Sequence, residues 1–251
     1  MSTLGSFLTN LQESVSAVAQ SLSGRPTSFA SIPRDIREAT ALSAAAVFPS
    51  SFGVAMYGPA DEAEDGLFPE YAGERRTVLD DAVDTVLDVV DLSEAAGQSD
   101  ELLAERLVPL GQRAMKHVGA LTAGLTEAQV GLRVAWHAQG GQVRRSEWSL
   151  SGVQRVKYLC EHSDFSEAET MTLTGWLGAA SAFRGNVEIR TESGELIKAS
   201  TDEDLTPHLD RYFNKRVEAD IEVIRVQAAA GRERKIYTVL GLRNIEQDGV
   251  N

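Results

Sequence analysis

Residues 168–245 run strand, strand, strand, short helix, strand, strand, and the region before them mixes amphipathic helical stretches with short alternating ones. These two patterns predict an α+β chain: an N-terminal antiparallel sheet with about three helices, followed by a C-terminal five-stranded OB-like β-barrel. A helix between the third and fourth strands favours the OB order over an SH3-like barrel. The expected divisions are an amphipathic helix at 1–24, an α+β domain at 25–164, the barrel at 165–246 and a tail at 247–251.

In chain order, Leu4, Leu8, Leu11, Val15, Val18 and Leu22 recur at spacings of four and three, which predicts a helix with one apolar stripe. Such a stripe can lie on its own domain, or pair with a protein partner or with a second copy of the chain. Ser23-Gly24-Arg25-Pro26 ends it, and Pro33 to Thr40 reads as one more helical turn. Two short strands follow around Pro49-Ser50-Ser51, then an acidic loop from Pro59 to Glu74, read as a solvated surface.

Arg76 to Leu92 has Leu79, Val83, Val86, Leu87 and Val90 on one helical side and Asp80, Asp84, Asp88 and Asp91 on the other. Aspartates stacked a turn apart do not surround an ion, so this row reads as a wet face. Ser99-Asp100-Glu101 opens a further helix, which Pro109 should kink or split. Leu132–Trp136 and Val143–Leu150 alternate as a hairpin around Gly140-Gly141, and Gly152 to Cys160 reads as helix.

The predicted barrel begins with Thr170–Gly178, where Met171, Leu173 and Trp176 are the apolar residues. Val187–Thr191 alternates, Ser193-Gly194 turns, and Leu196–Ala199 pairs back. Thr206-Pro207 suits a helix start, with Leu209, Tyr212 and Phe213 able to plug one barrel end. Val217–Val223 alternates cleanly, a slip at Ile224 and Val226 suggests a bulge, and Ile236–Leu242 closes the set.

Net charge is −13 and uneven. Residues 61–105 hold fifteen acidic and two basic side chains, residues 106–160 two acidic and eight basic, and residues 165–251 fifteen acidic and eleven basic. A strongly basic nucleic-acid footprint is therefore absent. No apolar run spans a membrane, and the start lacks a basic-then-apolar leader. A single cysteine and no glycosylation sequon fit a reducing cytoplasm; abundant alanine and an excess of arginine over lysine fit a GC-rich bacterial genome.

Phosphate-loop, dinucleotide, zinc-protease, nucleophile-elbow and EF-hand motifs are missing. His117, His137, His162 and His208 lie on different elements, and Cys160-x-His162 lacks a second pair at zinc spacing. No cofactor or metal is implied. An OB-like barrel binds on its second and third strands, between its first and last hairpin loops. Those parts carry Phe183, Arg184, Arg190, Lys198, Arg232, Arg234 and Lys235, with Glu188, Glu192 and Glu195 on the same surface. The reading that results is a non-catalytic protein-interaction or assembly component of a bacterial cytoplasmic complex. Single-stranded nucleic-acid or nucleotide binding through the barrel is the first alternative and an unrecognised enzyme the second.

Overall fold

The computed structural model describes residues 2–23, 31–48, 53–59, 76–95, 99–181, 185–202, 204–227 and 233–245. The chain forms two compact units: Met1–Gln20 with Phe29–Glu161, and Ser21–Ser28 with His162–Asn251. The change of unit thus falls at Glu161/His162, three residues before the expected boundary. Asp164 and Phe165 already pair with Gln227 and Val226 in the second unit, which explains the shift.

The first unit begins with helix α1 (Ser2–Leu22) and the short α2 (Arg34–Ala39). Every side chain from Ser14 to Gln20 is buried. Polar contacts tie the helix to α2 and the residue after it: Gln12 Nε2 donates to the Thr40 carbonyl (3.0 Å), Ser16 Oγ meets Thr40 Oγ1 (2.8 Å), and Glu13 pairs with Arg37 (2.7 Å). α1 is therefore an integral element of this unit. A hairpin follows, β1 (Ser43–Phe48) against β2 (Gly53–Tyr57). The Pro-Ser turn and most of the acidic loop fall outside the described residues.

Helix α3 (Val78–Glu94) begins two residues later than its apolar pattern suggests, because Thr77 and Asp80 form a capping box. Pro109 splits the next helical stretch into α4 (Glu101–Leu107), a 3₁₀ turn (Val108–Leu110) and α5 (Gly111–Glu127). Asp100 does not cap α4 through its side chain; Arg155 takes that carboxylate, and Ser99 Oγ accepts the Glu101 N–H at 3.2 Å. Strands β3 (Leu132–His137) and β4 (Val143–Trp148) pair antiparallel, and α6 (Leu150–Glu161) ends the unit. The antiparallel β-structure here is two separate two-stranded sheets. Leu103, Leu107, Met115, Leu121, Trp148 and Leu159 are among the largest fully buried side chains.

The second unit is the barrel. Strands β5 (Asp164–Phe165), β6 (Glu169–Ser181), β7 (Asn186–Thr191), β8 (Leu196–Thr201), β9 (Arg216–Gln227) and β10 (Glu233–Asn244) form one sheet. Its five long strands close in the order β6-β7-β8-β10-β9-β6, with β8 and β10 parallel and the other pairs antiparallel. That order, with a helical segment between third and fourth strands, is the OB arrangement. Leu177, Val187, Ile189, Val217, Ile221 and Val239 fill the interior.

Two local expectations change. The plug is a 3₁₀ helix (Thr206–Arg211): Leu209 enters the core, Tyr212 and the preceding Leu205 pack against it partly buried, and Phe213 is exposed. β9 keeps register with β10 from Ile221 to Gln227, straight through the expected slip, and the irregularity falls between Asp220 and Ile221, where β10 carries the extra residue Leu240 between Val239 and Gly241. An extra residue in either partner produces the same bend, so the alternation of one strand alone cannot locate it.

Candidate functional site on the barrel exterior

β6 first pairs with β9 and then with β7, so it bends between them. The bend centres on Gly175, where an added Cβ would lie 2.6 Å from the Arg190 carbonyl oxygen; only glycine allows the two backbones to approach so closely. Leu173, Gly175 and Leu177 face inward and are buried. By alternation Trp176 faces outward, 43% exposed.

Trp176 stands directly opposite Arg216 on β9 and Arg190 on β7, and Arg190 in turn stands opposite Leu196 on β8. One row across four strands therefore reads Arg216, Trp176, Arg190, Leu196. Cross-strand neighbours of this kind have Cβ atoms about 5 Å apart, close enough to act as one surface. The indole Nε1 donates to Asn214 Oδ1 at 3.2 Å. Asn214 itself adopts φ 57° in the turn that leads into β9, and Phe213 beside it in the chain is 52% exposed. Arg216 is paired with Glu192, and Lys198 with Glu188 at 3.3 Å. Arg190 is exposed and forms no ion pair among the described residues.

The residues expected to form a platform are only partly brought together. Arg190 and Lys198 share the outer surface of β7 and β8. Arg234 and Lys235 lie at the far end of β9, opposite Val226 and Arg225, whereas the tryptophan row lies at its start. Phe183, Arg184 and Arg232 lie outside the described residues. Trp176, Leu196 and Arg216 were not foreseen as site residues. Parity was the available signal: Leu173 and Leu177 share a face, and Trp176 falls on the other.

The helical stripe proposed for a partner is corrected in part. Val15 and Val18 are buried within the first unit, because α1 lies on α5: Asn10 Nδ2 donates to the Ala120 carbonyl and Arg113 to Gln20 Oε1. Leu4, Leu8, Leu11 and Leu22 are half-buried.

The row of aspartates on α3 is matched by arginines. Arg76 pairs with Asp81 and Asp84, Arg106 with Asp88, and Arg144 of β4 with Asp84, Asp88 and Asp91. The aspartates of α3 are thus offset by basic side chains inside the first unit. Among the described residues no group of three His, Cys, Asp or Glu could hold a metal ion. Cys160 lies against α5, where a Cβ on Gly119 would come within 3.1 Å of its own Cβ. Burial, with Glu161 adding to it, pushes the thiol up to about 12, so it stays protonated and weakly nucleophilic near neutrality. No described helix is long and apolar enough to cross a membrane. No protein-family model, curated protein or solved structure matches this chain.

Proposed function

We propose that this protein is a non-catalytic interaction or assembly component, and that its barrel holds a protein partner at the Arg216–Trp176–Arg190–Leu196 row. The observation that carries the reading is an exposed tryptophan on a strand whose inward residues already fill their own core. Its ring lies outside that core. Tryptophan and arginine dominate the energetics of protein interfaces, and a polar rim that excludes water usually surrounds them. Here the Arg216–Glu192 and Lys198–Glu188 pairs supply such a rim.

Affinity capture from cells of the source organism, quantified for wild type, Trp176→Ala and a Lys235→Ala control, tests the proposal. A partner held by the row is retained by the control, and its affinity for Trp176→Ala falls about 30-fold, corresponding to about 2 kcal/mol. A partner retained equally by all three proteins removes the row from the reading.

One observation favours a second reading. Arg190, exposed and without an ion pair among the described residues, lies beside an exposed indole and offers a phosphate contact next to a stacking surface. Against it stands the barrel's excess of acidic over basic residues. Anisotropy of a labelled single-stranded oligonucleotide at about 50 mM salt separates the two. Binding that weakens with salt and disappears in Arg190→Glu supports the nucleic-acid reading, and silence at that salt ends it.

A further inference from the structure

Arg190 sits at the centre of a small cross on the barrel exterior. Across the strands its neighbours are Trp176 on β6 and Leu196 on β8, both exposed and apolar. Along its own chain, two residues away on either side, are Glu188 and Glu192. Those two carboxylates are already taken, Glu188 by Lys198 at 3.3 Å and Glu192 by Arg216. Arg190 is thus a charge without an ion pair among the described residues, set between two apolar side chains. The indole is fixed in advance, because its Nε1 donates to Asn214 Oδ1 at 3.2 Å, so little side-chain freedom is lost when a partner covers it.

Each arm of the cross narrows what can lie on it. A neutral partner that covered the guanidinium would strip its hydration and return no charge-assisted bond. A polyanion carries a charge at every residue, so once one phosphate met Arg190 the next would approach Glu188 or Glu192. A single carboxylate avoids both costs. Trp176 and Leu196 flank Arg190 on opposite sides, so the chain bearing that carboxylate continues past it in both directions with apolar groups. A terminal carboxylate would leave one flank uncovered. The source is therefore a glutamate or aspartate side chain inside a segment.

The step of the row sets the conformation of that segment. Neighbouring strands lie about 4.8 Å apart, so the positions of Trp176, Arg190 and Leu196 repeat at about that distance. Same-face residues of an extended segment laid across them repeat at about 6.6 Å, whereas residues three or four apart on a helix stand about 5–6 Å apart. We infer that the row receives a helix of a partner protein, which presents one acidic side chain to Arg190 and, three or four residues away on either side, an apolar side chain to Trp176 and to Leu196. This rests on the reading that the row holds a protein partner, and adds the chemistry and shape of what is held.

Binding of defined peptides to the full chain tests it. The probe is a capped alanine–glutamine helix of about 18 residues carrying Leu, Glu and Leu at positions i, i+3 and i+7. Its companions replace Glu by Gln, or move the leucines to other sides of the helix. The readout is the Trp176 indole N–H resonance, identified by its loss in Trp176→Phe. At about 50 mM salt the Glu peptide is expected to bind with a dissociation constant of about 100 µM, and the Gln peptide about fivefold more weakly. Arg190→Gln, at an exposed position with no ion pair to break among the described residues, keeps its thermal midpoint and binds both peptides alike. Arg190→Glu prefers a peptide with Lys in place of Glu.

The inference is overturned by wild type that binds neither peptide at about 1 mM, does not distinguish Glu from Gln, or takes the rearranged helix equally well. A preference that persists in Arg190→Gln overturns it too. A single-stranded oligonucleotide that shifts the indole while the peptides do not overturns it in favour of phosphate. A cellular partner lost by Trp176→Ala but kept by Arg190→Gln removes the acidic contact and leaves the barrel reading standing, whereas one kept by Trp176→Ala removes the row itself.

Discussion

Asp80 is a carboxylate only 1% exposed on which three donors converge. The Thr77 N–H and hydroxyl both reach Oδ2 at 3.0 Å, and the Trp136 indole reaches Oδ1 at 3.0 Å. One side chain therefore caps α3 and ties that helix to β3. In Asp80→Ala the carboxylate half of the capping box is lost, Thr77 Oγ1 still accepts the N–H of residue 80, and a partly buried indole N–H is left without its acceptor, so stability should fall by about 1–3 kcal/mol in urea unfolding. A loss under about 0.5 kcal/mol would show that water replaces the carboxylate. The sequence marked Asp80 as one of four aspartates on a wet face, and for Asp84, Asp88 and Asp91 the surface position holds. Asp80 is the exception because Trp136 arrives from 56 residues away, and no local pattern contains that contact. Trp176 is the converse. It was counted among the apolar residues of a strand, yet parity with Leu173 and Leu177 already set it on the outer face.

At the level of elements, the contact between α3 and β4 is an ion-pair zipper. Arg144 lies 2.8 Å from Asp88 and 2.6 Å from Asp91, and its guanidinium also donates to the Asp84 carbonyl at 3.0 Å. The groups are partly solvated, so the array is worth about 1 kcal/mol after screening. Its sign is what can be tested. Added salt weakens these attractive pairs, so it should raise the thermal midpoint of wild type less than that of the variant Arg144→Met, screening of the net −13 being common to both. In Arg144→Met, Asp84, Asp88 and Asp91 lose the arginine that bridged them, and added salt should raise the midpoint. Identical salt responses in the two proteins would mean that the network contributes nothing. Elements with a strict period were legible from the chain: β7, β9, α3 and the split at Pro109 all follow from alternation, apolar spacing or a missing N–H. Elements whose limits depend on a distant partner were less so. β6 extends beyond its predicted end because β7 pairs with Ala179–Ser181, and β10 extends at both ends because β9 pairs along nearly its whole length.

For the whole molecule, the question is what a net −13 permits. Much of the acidic charge on α3 is neutralised within the first unit, but the excess still opposes the approach of two copies. The barrel imposes an order of a different kind. Its ring is completed by β10, which lies beside β9 on one flank and runs parallel to β8 on the other. During synthesis, the first four strands must leave the ribosome before the residues that seal the ring exist. A chain halted before Glu233 would hold two bare strand flanks, β8 and β9, with nothing to lay between them. Premature termination in this gene would thus release a sticky product, and only the last dozen or so codons of the barrel turn an adhesive curl into an inert cylinder.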